Sequence, residues 1–260
     1  MSEFSKTSII SSKAILGKNV VIGDYAKIFD NVVIGDNVQI DDYCQIGHPS
    51  ILSDKKPVII GSNSHIRSFS IIYENSEFGP ALETGHHVVI REGTMVGENL
   101  RVGNFSDIEG DCVIGDYCRF HGYSHIGKGA EIGHFVWIFS LVTATNDPLP
   151  PSNAQAPVKI KDGAVVCVGA TLMPGSIVGT GAFISAGAQA RGDVPAGAVI
   201  AGEDGKVVNH VSRLIDFNSG QRHPWMNHYR HVYPNTEEIT NRLDSLLNEI
   251  MINKMNLKIN

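Results

Sequence analysis

The sequence predicts an all-β solenoid, a parallel β-helix of hexapeptide repeats, followed by a helical tail. Two spacing rules predict it. An aliphatic anchor recurs every six residues: Leu16, Ile22, Ile28, Ile34, Ile40 and Ile46, then from Ile60 through Ile66, Ile72, Phe78, Thr84 and Ile90 to Ala144, then from Ile160 through Val166, Leu172, Val178 and Ile184 to Ala190. Four residues after an anchor the side chain is small, as at Val20, Ala26, Cys44, Ser64, Ser106 and Cys112, with Leu82 and Leu100 as exceptions. A period of six fits neither an amphipathic helix nor a half-buried alternating strand. It fits one short strand and one corner per hexad.

Three hexads make one triangular coil, so residues eighteen apart in sequence stack about 4.8 Å apart. Face A carries anchors 60, 78, 96, 114, 132 and 160; face B carries 66, 84, 102, 120, 138 and 166; face C carries 72, 90, 108, 126, 144 and 172. The residue before each anchor points outward. Face A then shows Ile59, Glu77, Met95, Val113 and Glu131; face B shows His65, Glu83, Arg101, Arg119 and Trp137; face C shows Ile71, Val89, Asp107, His125 and Thr143. Met95, Val113, Ile71 and Val89 make that surface too apolar for water alone and imply subunit contacts in a homo-oligomer.

The hexads occupy roughly residues 14–194, which sets a β-helix domain at 1–195 and a tail at 196–260. Loops 47–58 and 145–157 interrupt the period, and both leave the corner between faces C and A, where loops on a rigid scaffold carry function. The 27 glycines suit corners that need unusual backbone conformations. Cys44, Cys112 and Cys118 occupy the small inward position and Cys167 a corner, and no C-x-x-C motif is present. Past Pro195 residues 196–235 read as irregular, and a helix is expected over about 236–255. Thr236 suits its N-cap, Glu237 and Glu238 its first turn, and Ile239, Leu243, Leu246, Leu247 and Ile250 its apolar face. That helix is expected to cap the C-terminal end of the solenoid or to pack on a neighbour. His223, His228 and His231 fix no ligand geometry.

A net charge of −6 gives no support for a nucleic-acid or anionic-membrane partner. No apolar run is long enough to span a bilayer, and MSEFSKTSIISSK lacks a secretory apolar core, so a cytoplasmic protein is expected.

The stretch VKIKDGAVVCVGATLMPGSIVGTGAFISAGAQARGDVPAGAVIAG (158–202) resembles the closing coils of the hexapeptide acyltransferases. This resemblance spans about residues 14–202 and implies a left-handed β-helix, a homotrimer, and acyl-CoA as cosubstrate, acetyl-CoA or another short-chain thioester. VVIREG (88–93), IEGDCVIGDYCRFHGYSHIG (108–127) and the TND at Thr145–Asp147 resemble the sugar N-acyltransferases, which acylate an amino sugar carried on dTDP or UDP. By that resemblance Gly169, Ala170, Ala186 and Gly187 line the pantetheine arm, and Arg191 meets the coenzyme's phosphates. The chain departs from the family pattern in AGEDG at 201–205 and in Val165, where a tryptophan is usual.

Three places are candidates for the chemistry. Asp107 and His125 fall on one outward face in adjacent coils, where a carboxylate holds a histidine's tautomer and raises its basicity. Asn146 stands where the family's O-acetyltransferases carry a catalytic histidine, which favours an amine acceptor over a hydroxyl; Asp147 beside it would orient the substrate. His86 occupies the corner where some sugar N-acetyltransferases carry a catalytic histidine, with His87, Arg91 and Glu92 placed to grip the nucleotide-sugar. Either His125 or His86 accepts the proton and no metal is required; by the resemblance alone, the product would serve surface polysaccharide synthesis. O-acetyl transfer to a sugar hydroxyl is the alternative. A γ-type zinc carbonic anhydrase using His86, His121 and His125 is a further one.

Overall fold

A computed structural model describes residues 2–220, 222, 225–228 and 230–253. The chain divides into two compact units, Met1–Glu131 and Ile132–Asn260. Each is built from short parallel strands on three faces, the architecture of a left-handed parallel β-helix.

In the first unit each strand pairs with the strand one coil away and in register: Glu77 with Met95 and Met95 with Val113 on face A, Glu83 with Arg101 on face B, Val89 with Asp107 on face C. The anchors fill the interior, Ile40, Ile66, Ile72, Ile90 and Ile108 all fully buried. Cys44, Cys112 and Cys118 are equally buried, and burial pushes the Cys44 thiol up to about 12 and that of Cys112 to about 11. Leu82 and Leu100 break the small-residue rule without opening the coil, since both are buried.

The coils start earlier than expected. Strand Glu3–Phe4 pairs with Val21–Ile22 and Ile9–Ile10 pairs with Lys27–Ile28, so Phe4 and Ile10 continue the six-residue spacing below Leu16. Their corners carry Ser, Lys and Thr in place of glycine, which hides the repeat. Arg119 was expected to face water, yet only 6% of it is exposed. Its guanidinium folds onto the neighbouring corner and donates to the Asn99 and Cys118 carbonyls and to Asn99 Oδ1.

Two corner columns explain how non-glycine residues tolerate positive φ. Between faces A and B stand Asn19, Asn37 and Asn63, and Asn19 Nδ2 donates to Asn37 Oδ1 at 3.1 Å and Asn37 Nδ2 to Asn63 Oδ1 at 3.2 Å. Asparagine visits this region readily. Between faces B and C stand Tyr25, Tyr43, Phe69, His87, Phe105 and Tyr123, all with φ between 56 and 65°. Their rings stack into one ladder with centroids 4.7–5.2 Å apart. Each stacked pair contributes about 0.5–1.5 kcal/mol, comparable with the roughly 1–2 kcal/mol cost of the left-handed conformation.

Strand Gln45–His48 runs two residues into the expected loop, so the loop that leaves the C-to-A corner spans 49–57, and it is pinned at its base. Glu74, 8% exposed, accepts from Lys55 Nζ at 2.7 Å and from the Ser50 N–H at 2.9 Å. Ile51 and Leu52 project from its far side into solvent.

In the second unit, face B runs through Trp137–Ile138, Val165–Val166, Phe183–Ile184 and Ala198–Ala201, all parallel. Lys206–His210 then pairs antiparallel with Ala198–Ala201. The segment after Pro195 therefore begins with a β-hairpin turning at Gly202–Gly205, which corrects the irregular assignment. Helix Glu237–Asn253 is present, and the Thr236 hydroxyl accepts from the Ile239 N–H at 3.3 Å as its N-cap. Lys254 and Met255, the last residues of the expected helix, and His223 lie outside the described residues.

The helix packs along coil corners, not over the final coil, whose outermost strand on face B is Lys206–His210. Ile239, Leu243, Leu246 and Ile250 are buried, and Leu246 and Ile250 rest on Gly163 and Gly181. Trp225 and Tyr233 cover outward positions of face B: Trp137 Nε1–H donates to Tyr233 Oη at 2.7 Å, and Trp225 Nε1–H to the Gly163 carbonyl at 2.9 Å. Val165 is consequently buried. Among the described residues no helix is long and apolar enough to cross a membrane.

Candidate active site

Strands Asp107–Ile108 and His125–Ile126 pair in register, which sets Asp107 beside His125 on the outward side of face C. His125 Nδ1 lies 2.8 Å from Asp107 Oδ2. Both side chains are partly open to solvent in the single chain, 35% for the histidine and 45% for the aspartate. The imidazole's pKa is raised, first by the Asp107 hydrogen bond, against burial, with the charges of Asp107 and Glu109 adding to it. When Nδ1–H donates to Asp107, the Nε2 lone pair is available as a base.

Sequence reasoning missed Glu109. Its side chain converges with Asp107 and His125, with one ligand atom from each within 4.8 Å of the others. The signal was the strand alternation itself: 107 points out, 108 in and 109 out again. Among the described residues this is the one group of three such side chains able to hold a cation. His86, His121 and His125 form no such group within the single chain.

His86 is an exposed corner residue whose backbone N–H donates to Asn104 Oδ1 at 2.7 Å. His87 is a rung of the aromatic ladder, between Phe69 and Phe105, so both faces of its ring are covered. Arg91 Nη2 pairs with its neighbour Glu92 at 2.8 Å, Glu92 is buried, and the guanidinium lies 5.8 Å over the Tyr73 ring.

In the second unit Asn146 and Asp147 open loop 145–158 and also close it. Asn146 Nδ2 donates to Gln155 Oε1 at 3.0 Å, and its carbonyl accepts from the Ala156 N–H at 2.7 Å. Asp147 accepts from the Ser152 hydroxyl and from the N–H groups of Leu149 and Ser152, which hold its carboxyl below the usual range. Gly169 and Gly187 have φ of +67 and +68°, and a methyl group on either would meet no atom within 4 Å. Ala186 is exposed, while Ala170 is fully buried. The N–H groups of Gly169, Ala170 and Gly187 donate to the carbonyls of Ser140, Cys167 and Val168. Arg191 is exposed and donates to Gln189.

Residues 93–128 match the bacterial transferase hexapeptide family, described as six repeats. The bifunctional protein GlmU of Shouchella clausii is 33% identical over 136 residues, 52% of this chain and 28% of that protein. The 2,3,4,5-tetrahydropyridine-2,6-dicarboxylate N-acetyltransferase of Staphylococcus aureus is 36% identical over 92 residues, 35% of this chain and 33% of the relative. The chain thus spans about a third of the length of these curated relatives. In structure it is similar to the Arabidopsis UDP-N-acetylglucosamine acyltransferase, with TM-score 0.67 and 17% identity over 94% of this chain and 88% of that one. The Campylobacter jejuni UDP-N-acetylglucosamine acyltransferase gives 0.54 and 19% over 94% and 90%. These likenesses show the fold. The protein is a left-handed parallel β-helix of hexapeptide repeats and resembles the hexapeptide acyltransferases.

Proposed function

We propose that this protein transfers a short acyl group from acyl-CoA to the amine of a dTDP- or UDP-linked deoxyamino sugar. The observation that carries this reading is the Asp107–His125 pair on the outward side of face C. The names of the relatives, acyltransferases of a nucleotide sugar and an N-acetyltransferase, support acyl transfer.

His125 Nε2 takes a proton as the amine becomes neutral. The amine nitrogen attacks the thioester carbonyl, the C–N bond forms and the C–S bond breaks. The departing sulfur is protonated as the new amide loses its remaining proton. Asp107 holds the imidazole's orientation and stabilises its charged form. Gly169, Ala186 and Gly187 leave an open corner for the pantetheine arm, and Arg191 faces solvent where a phosphate would be bound. His86 is the second candidate for the base. Asn146 and Asp147 shape the loop beside the acyl or sugar group. A homotrimer acting in the cytoplasm and needing no metal completes the proposal.

The test is incubation with acetyl-CoA and a panel of dTDP- and UDP-linked amino sugars, following thiol release and product mass. Turnover of an amino sugar but not its hydroxyl counterpart is expected. Turnover of hydroxyl acceptors alone would replace this reading with O-acyl transfer, which the same histidine base would serve.

A further inference from the structure

We propose that Glu109 determines acceptor specificity. With Asp107 it forms a two-carboxylate cradle that receives the acceptor's amine as an ammonium ion beside His125. This rests on the N-acylation reading and names the form of the substrate that the same site captures.

Glu109 is fixed at the backbone, where its N–H donates to the Ile126 carbonyl at 2.9 Å, on the strand that carries His125. One Glu109 oxygen accepts from the Lys128 N–H at 3.3 Å. The charged neighbours are paired with one another: Lys128 Nζ meets Asp111 at 3.0 Å, and Arg91 meets Glu92. The preceding residue of the face is Val89, which is uncharged. The cluster of Asp107, Glu109 and His125 therefore presents two negative charges and an imidazole to whatever binds there.

An ammonium group has three N–H donors and one positive charge; two carboxylates and a neutral imidazole nitrogen match it in number and sign. A hydroxyl has one donor and no charge, so it leaves both carboxylates underused. Near neutral pH a sugar amine is mainly protonated, and the cradle binds that abundant form. One ammonium proton then passes to His125 Nε2 and on to solvent, leaving the neutral amine in place for attack.

The experiment compares wild type with Glu109→Gln, which keeps shape and removes charge. Calorimetry would measure binding of dTDP-4-amino-4,6-dideoxyglucose and of its 4-hydroxyl counterpart, near neutral pH and above the amine's own pKa; KM and kcat would be measured for the amine. Near neutral pH Glu109→Gln should weaken amine binding and raise KM by about tenfold, the worth of one charge-assisted hydrogen bond, with a smaller effect on kcat. The difference should close once the amine is neutral, hydroxyl binding should not change, and Glu109→Asp should recover part of the loss. Equal weakening of amine and hydroxyl, a loss independent of pH, or no preference for the amine in wild type overturns the proposal. Preference for the amine without turnover would sink the N-acylation reading and leave the cradle standing.

Discussion

Placing a methyl group at Gly181 tests how the C-terminal helix is held. Gly181 has φ of +62°, and a Cβ there would overlap Cδ1 and Cγ1 of Ile250, which is fully buried. Two costs combine in Gly181→Ala. The left-handed backbone costs an alanine roughly 1–2 kcal/mol, and forcing an added carbon into a packed contact costs about 1–3 kcal/mol. Gly187→Ala is an internal control, because its φ is +68° and its Cβ would meet nothing within 4 Å. It should lose the backbone term alone, so the two variants should differ by about 1–3 kcal/mol. Urea denaturation reads the difference, and amide hydrogen exchange locates it: residues 239–250 should exchange faster in Gly181→Ala and not in Gly187→Ala. Ile250→Ala should itself cost about 2–5 kcal/mol, yet the double variant should be less destabilised than the sum, because the overlap disappears. Equal losses at Gly181 and Gly187, or strict additivity with Ile250→Ala, would refute the packing described for this helix.

Asp107→Asn should lower the His125 pKa, because the hydrogen bond to Asp107 is the leading cause of its elevation, and NMR titration of the imidazole would show it. A raised folded-state value stabilises the protein below the ordinary histidine pKa, and that contribution is lost as pH rises through the folded value, so the variant should lose this part of the pH dependence. If His125 is the base, His125→Ala should cut acyl transfer by about 10²-fold or more in steady-state assays. Lys55→Ala should free the base of loop 49–57 and expose it to limited proteolysis. Burial opposes the charge on Glu74, but Lys55 and the Ser50 N–H outweigh it and hold the pKa low. Stability from this group is present above the unfolded carboxyl value and lost as pH falls, so the variant should lose its loop at a higher pH. Phe105→Ala removes a ring between His87 at 4.8 Å and Tyr123 at 5.2 Å, and should cost about 1–3 kcal/mol in denaturation beyond the lost burial.

Periodicity turned residue number into position, which is why the faces, the inward cysteines and the Asp107–His125 contact were legible before any coordinates. Each depends only on counting by two, six or eighteen. What escaped obeys other rules. Phe4 and Ile10 lie in coils whose corners lack glycine. The hairpin at 198–210 follows a glycine turn after the hexads have ended. Arg119 turns back onto the corner one coil earlier because Asn99 offers it acceptors there, an effect of side-chain length that alternation does not encode. The ladder of rings was present at regular spacing, but tyrosine, phenylalanine and histidine alternate in it, and the eight residues added by the first loop separate Tyr43 from Phe69. The turn in which Asp147 accepts from Leu149 and Ser152 is local, and no repeat encodes it.

The corner between faces B and C uses one hexad position in two ways. In the first unit that position carries a ring at every coil from Tyr25 to Tyr123, each stacked on the next. In the second unit the same position reads Leu141, Gly169 and Gly187, and the two glycines leave bare backbone with space above it. A long flexible molecule lying there would supply, from outside, the contacts that the chain makes for itself in the first unit. Such a molecule would act as a removable staple: coils 160–190 should tighten when it arrives and loosen when it leaves, while the ring-bearing coils stay indifferent to it.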